Sequence, residues 1–118
     1  MSDLRSSLLG SLTLSKPRLV GTPEYEKAPH IYVRQWSGLD YERYRSIYKG
    51  REPKDVSETE FLWHVFCLAA CDENGAAVVE ADDKALILAG PLAPLRRVVE
   101  AALEFNGIWT SDEARAKN

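Results

Sequence analysis

Residues 57–75 read SETEFLWHVFCLAACDENG. Ser57 and Glu60 have capping-box spacing, in which each side chain satisfies a backbone N–H that the first helical turn leaves free. Phe61, Leu62, Val65, Phe66, Leu68, Ala69 and Ala70 then cover more than half the circumference of a helix, whereas a surface helix buries one stripe. The segment therefore belongs near the middle of a small domain or between subunits. Asp72, Glu73, Asn74 and Gly75 end it, since Asn and Gly accept positive φ and Asp competes for local backbone hydrogen bonds.

Downstream, AAVVEADD (residues 76–83) reads as a short extended piece with Asp82 or Asp83 capping a brief helix, KALILA, that Gly90 stops. Pro91 opens the last long helix, where a missing N–H costs nothing. Leu92, Leu95, Val98, Val99, Ala102 and Leu103 form its apolar stripe, and Asn106-Gly107 ends it. Ile108 and Trp109 follow as an apolar anchor, and residues 110–118 form a polar tail or short helix.

Upstream of residue 57, a charged, Pro-containing connector (REPKDV, 51–56) leads back to a helix begun by Ser37 with Asp40, again at capping spacing. Tyr41, Tyr44 and Tyr48 line one face of it at i, i+3 and i+7, with Ile47 beside them. Before that, HIYVRQW (30–36) is β-branched and aromatic-rich, and Arg18-Leu19-Val20 is a plausible partner strand, so a small antiparallel hairpin is expected. Pro17, Gly21, Pro23 and Pro29 rule out a long helix there. Residues 1–16 carry Leu4, Leu8 and Leu12 at helical spacing, broken by Gly10, and read as a flexible arm or docking helix. The expectation is a mainly α, small single-domain helical fold with a short N-terminal β-hairpin, its core domain spanning residues 17–109.

The chain has 118 residues, 45% hydrophobic and 28% charged, with a net charge of −3. That is one domain able to build a modest core without disulfides. A mildly acidic balance argues against a phosphate-backbone partner, which needs a concentrated basic surface. No apolar run approaches the roughly 20 residues that cross a bilayer, and the N-terminal residues lack a secretory pattern. A cytoplasmic protein without membrane or nucleic-acid partners is expected.

Chemistry-bearing residues are few. His64, Cys67 and Cys71 share one face of the expected helix, but zinc takes four ligands, and His30 is the sole other imidazole. Two small core cysteines and a half-buried histidine are the better reading. A Cys–His nucleophile needs an accessible thiolate, whereas these cysteines sit among Phe66, Leu68, Ala69 and Ala70. Asp72, Glu73, Glu80, Asp82 and Asp83 lack the ligand order of a calcium loop and suit helix ends and turns. Arg34, Trp36, Arg43, Tyr44 and Arg45 could stack bases, yet such residues more often anchor protein contacts. No enzyme, cofactor or metal site is expected.

Val33-Arg34 followed by Ser37-Gly38, the apolar stretch 68–75 ending in Cys-Asp-Glu-Asn-Gly, the AALEFNG helix end within 95–107, and the Ala-rich charged tail 112–118 together resemble the tail assembly chaperones of long-tailed bacteriophages. The resemblance covers roughly residues 31–118. Trp36, where an aliphatic residue is commoner, and the REPKD connector depart from the pattern. The resemblance implies a non-enzymatic morphogenesis factor of the infected bacterial cytoplasm, absent from the mature virion. It would solubilise the tape measure protein, help recruit tail tube protein, in some cases through a longer frameshifted product, and act as a homo-oligomer. Self-association and client contacts are expected at Leu4, Leu8, Leu12, Trp36, Tyr41, Tyr44, Tyr48, Ile108 and Trp109. Another small phage morphogenesis adaptor is the alternative, and a zinc-binding regulator using His64, Cys67 and Cys71 a distant one.

Overall fold

The apolar 57–75 segment does not stay helical to its acidic turn. In the computed structural model, which describes residues 2–108, helix α3 spans Glu58–Ala69 and the next two residues, Ala70–Cys71, are a strand, β3. (Helix α1 is Ser2–Leu9, α2 is Gly38–Arg45, α4 is Lys84–Ala89 and α5 is Leu92–Phe105.) Half of the expected capping box forms: the Ser57 hydroxyl accepts from the Glu60 amide, but the Glu60 side chain does not reach back to the Ser57 amide. The Glu60 carboxylate is gripped by Arg51 through two N–H···O bonds of 2.6 and 2.8 Å.

The early end of α3 has a visible cause. A helix leaves its last carbonyls without intrahelical partners, and here the segment after the second strand claims them. The Arg34 amide donates to Ala69 O at 3.1 Å. Arg34 Nε and Trp36 Nε1 both donate to Leu68 O, at 2.8 and 3.3 Å. A guanidinium at a helix C-terminus is also favoured by the helix dipole. With these carbonyls occupied, Ala70 turns to extended backbone (φ −67°, ψ 127°) and pairs in the sheet.

The expected hairpin forms from β1 (Arg18–Gly21) and β2 (His30–Val33), antiparallel from Arg18 opposite Val33 to Gly21 opposite His30. The third strand was not anticipated: β3 adds to the far side of β2, Val33 opposite Ala70 and Tyr32 opposite Cys71, in the order β1-β2-β3. Alternation along the strands puts Val20, Ile31, Val33 and Ala70 on one face, and all four are buried. The same face carries Arg18, whose guanidinium lies over the Phe105 ring of α5 at 4.8 Å. Helix α5 therefore covers this face of the sheet and packs on α3. Its stripe Leu95, Val98, Val99, Ala102 and Leu103 is buried in the same cluster as Leu62, Val65 and Phe66 of α3.

Two turns follow sequence logic closely. Ser37 and Asp40 form a full capping box at the start of α2. After β3, Asp72 Oδ1 accepts from the amides of Asn74 (2.8 Å) and Ala76 (3.0 Å), and Gly75 supplies the positive φ of +86°. This acidic cluster is consumed in turn geometry. Residues 76–80 make a single bridge, Ala77 to Cys71, rather than a strand, and a 3₁₀ turn (Ala81–Asp83) runs into α4.

Asn106 closes the fold at the end of α5. Its side-chain Oδ1 accepts from the Trp36 amide at 2.6 Å, while Nδ2 donates to Arg34 O (3.2 Å) and Ala102 O (2.9 Å). Replacing Asn106 with Ala would leave the half-buried Trp36 amide and Arg34 carbonyl unpaired, a cost of about 1–3 kcal/mol. Urea or thermal unfolding of Asn106→Ala is expected to give a loss of about 2 kcal/mol, larger than the few tenths expected if Asn106 merely stopped the helix.

Candidate protein-interaction surface

The residues expected to contact partners divide into two groups by burial. Leu4, Leu8 and Leu12 are 76%, 58% and 63% exposed, on or just after helix α1, and Leu9 and Leu14 beside them are also exposed. Trp36 and Tyr44, by contrast, are core residues, only 8% and 7% exposed. Their rings lie 5.3 Å apart, and Phe61 meets Tyr44 edge-on at 6.1 Å. Burial pushes the Tyr44 hydroxyl up to about 12. The tyrosine stripe is broken as well. Helix α2 ends at Arg45, Tyr48 lies in a 3₁₀ turn (Ser46–Tyr48) beneath the Arg45 guanidinium at 5.5 Å, and only Tyr41 is exposed.

Ile108 is half-buried against the core, its amide donating to Leu103 O at 2.8 Å. Trp109 and the 110–118 tail lie outside the described residues. A shallow hollow of about 530 Å³ brings together Trp36, Tyr41 and Ile108 with Gly38 and Gly107. Three of the sequence-derived residues thus meet at one place, although Trp36 offers only an edge.

A second, larger concavity was not signalled by the sequence. It is an open groove of about 630 Å³ between the 22–29 loop and the 72–79 segment. Ile31, Phe66 and Ile87 contribute apolar lining, Tyr25, Val78 and Val79 flank them, and the charged groups Glu26, Lys27, Asp72 and Glu73 belong to the same rim. The Tyr25 hydroxyl is buried and makes no hydrogen bond, and desolvation raises its pKa. No short motif marks such a groove, because its walls come from two loops, strands β2 and β3 and helices α3 and α4, far apart in sequence.

One wall is firmly built. Thr22 is fully buried, its hydroxyl donating to Ala28 O at 2.7 Å while its amide donates to Pro29 O at 2.8 Å. Glu24 is clamped by Arg97 of α5 through two bonds of 2.8 Å, and Arg97 also reaches Gly21 O at 3.1 Å. Such a bidentate fork is the strongest ion-pair geometry available to a carboxylate.

The soft-ligand cluster dissolves in three dimensions. Cys71 is in strand β3 and fully buried, off the helix that carries His64 and Cys67. His64 Nε2 lies 3.0 Å from the carbonyl oxygens of both Arg43 and Tyr44, so that nitrogen carries its proton and donates, tying α3 to α2. Burial raises both thiols above their usual pKa, with nearby Asp83 adding to the effect at Cys67 and Asp72 at Cys71. Neither is a thiolate at neutral pH, the opposite of an activated nucleophile. Among the described residues no group of three or more His, Cys, Asp or Glu is placed to hold a metal ion, and no helix is long and apolar enough to cross a membrane.

The architecture has a counterpart among solved structures. The structure of the bacteriophage HK97 tail assembly chaperone matches 93% of this chain and 100% of its own, with a TM-score of 0.55 and 20% sequence identity. The chain shares the fold of that chaperone. At this identity the likeness speaks for the fold. No family model and no curated protein matches the sequence.

The Arg97 hydrogen bonds hold the Glu24 carboxyl down to about 2. Because its folded-state pKa is depressed, the clamp is at full strength above the unfolded value of roughly 4.3 and is lost as pH falls toward 2. Following the Glu24 carboxyl by NMR, a midpoint near 2 is expected in the native protein. In Arg97→Ala it should return toward the ordinary carboxylate range.

Proposed function

We propose that the chain is a phage tail assembly chaperone that binds and solubilises the tape measure protein and helps recruit tail tube subunits during morphogenesis. What carries this reading is the fold shared with the HK97 chaperone over nearly the whole chain, at complete coverage of that protein. It acts without catalysis, as a homo-oligomer, in the cytoplasm of the infected host. The recruiting step can use a longer frameshifted product, and the mature virion lacks the chaperone.

Physical chemistry supports such a job. A long helical client must be kept from aggregating through its apolar stripes, so its partner needs apolar surface with polar rims, repeated along the client. This molecule combines a stable small core with leucines left outside it and an open apolar groove whose charges sit at the edge. Copies joined head to tail would repeat that surface as a ring or a spiral.

The decisive experiment is co-expression with the tape measure protein of the same tail-gene cluster, followed by co-purification and light scattering after size exclusion. A soluble complex with many copies of this chain per client is expected. An insoluble client beside a chain eluting alone would overturn the proposal in favour of a different morphogenesis adaptor. Within such a complex, Tyr41→Ala is expected to weaken client binding about tenfold at unchanged Tm, the scale of one truncated interface anchor.

A further inference from the structure

We propose that strand β1, the open edge of the sheet, pairs antiparallel with β1 of a second copy of this chain, Leu19 lying opposite the partner's Leu19. The inference deepens the self-association part of the proposed function and rests on it.

The direction of each backbone group on β1 follows from a few contacts. In an antiparallel ladder the N–H and C=O of one residue point to the same side, and those of the next residue to the other. The Thr22 amide donates to Pro29 O at 2.8 Å, so Thr22, Val20 and Arg18 face β2. Gly21 and Leu19 therefore face away from it, and Arg97 Nη1 meets Gly21 O on that outer side at 3.1 Å. The Arg34 amide, donating to Ala69 O at 3.1 Å, sets the matching alternation on β2, with Arg34 and Tyr32 toward β3 and Val33 and Ile31 toward β1. Leu19 N–H, Leu19 C=O and Gly21 N–H have no hydrogen-bond partner among the described residues. The other edge of the sheet is closed, because beyond β3 the Asp72 amide donates to Ala76 O and Cys71 bridges Ala77.

The open edge is complementary to itself. Turned over on a second copy with Leu19 at the centre, it sets Leu19 N–H against the C=O of the partner's Leu19, and the reverse. Two residues along, Gly21 N–H meets the C=O of the partner's Pro17, which faces outward by the same alternation. Pro17 has no N–H to return, and Gly21 O needs none, since Arg97 already holds it. Each partially positive N–H thus faces a partially negative C=O. Shifting the register by two residues would instead aim Leu19 N–H at the partner's Gly21 O, where the Arg97 guanidinium stands.

The side chains agree with this occupant. Leu19 is 53% exposed, on the sheet face opposite to that of the buried Val20. The pairing brings it against its own counterpart, with about 5.5 Å between Cα atoms. An edge shaped to stay unpaired carries a charge such as lysine, whereas the centre of this one is a leucine. A strand from another protein would have to reproduce the pattern of Pro17, Leu19 and Gly21; a second copy carries it by identity. Such a contact is isologous and closes as a pair, the unit that a separate head-to-tail contact would repeat.

The test uses the full chain alone, without client, so its failure is distinct from failure of tape measure binding. Leu19→Lys and Leu19→Glu alter an exposed side chain and leave the β1–β2 hydrogen bonds in place, so both are expected to keep the circular dichroism spectrum of the parent chain. Like charges directly opposite each other destabilise a strand pair. Tagged Leu19→Lys is therefore expected to retain several-fold more untagged Leu19→Glu than untagged Leu19→Lys. In a Cys67→Ser background, oxidised Leu19→Cys is expected to give about fivefold more disulfide-linked dimer than Leu86→Cys, a more exposed position on α4, because the paired Cα atoms lie within disulfide reach. Equal retention of the two charged chains overturns the proposal, and so does a Leu19→Cys yield no higher than that of Leu86→Cys.

Discussion

Three residues that belong to no helix or strand hold this molecule together. Arg34 and Trp36 end α3 by taking the carbonyls of Leu68 and Ala69, and the same segment is held to the end of α5 by Asn106. The carboxyl ends of the two longest helices are thus tied to one point just beyond β2. Everything nearby follows from that knot. Stopping α3 at Ala69 frees Ala70 and Cys71 to become β3, and β3 gives the hairpin the third strand that a two-stranded ribbon needs for a stable hydrophobic face. The knot also explains why Trp36 is buried, since its indole N–H must reach Leu68 O.

The elements with strong local signals were legible. The capped starts at Ser37 and Ser57, the α5 stripe, the stop at Gly90 and the hairpin all follow from periodicity and turn chemistry within a few residues. What could not be read is non-local. Nothing in LAAC (68–71) distinguishes the last turn of an apolar helix from a two-residue strand, because both bury Ala and Cys equally well. The choice is made by Arg34, more than 30 residues away. For the same reason Asn106 looked like a simple helix stop, while its side chain bridges two backbone groups 70 or more residues distant.

The candidate surface divided along the same line. The leucines of the arm were legible because an apolar residue in a short, Gly-broken helix has little of its own domain to bury against, and they are exposed. The groove was invisible because Ile31, Phe66 and Ile87 are ordinary core-type residues, the first two buried, and only the way the two loops stand apart leaves a hollow beside them. Trp36 and Tyr44 are the opposite case, aromatic residues named for contacts that the fold buries. An aromatic residue at the margin of a predicted element is compatible with either core or interface, since both environments take an apolar ring with a polar tip.

Their burial changes how binding experiments on this protein must be interpreted. Removing the Trp36 ring would empty core volume beside Tyr44 and take away one of the two side chains capping α3, and a large-to-small change of this kind costs about 3–5 kcal/mol. A small domain has stability of about 5–15 kcal/mol in total, so a Trp36 variant that fails to bind a client would report on folding as much as on contact. Informative substitutions lie where the side chain is already outside the core. Leu4, Leu8 and Leu12 on the arm, Tyr41 on α2 and Val78 at the groove meet that condition. The arm meets the 34–36 segment at its base, where the Ser15 amide donates to Gln35 Oε1 at 2.6 Å, while Leu4, Leu8 and Leu12 are exposed, so substituting those leucines leaves the knot in place.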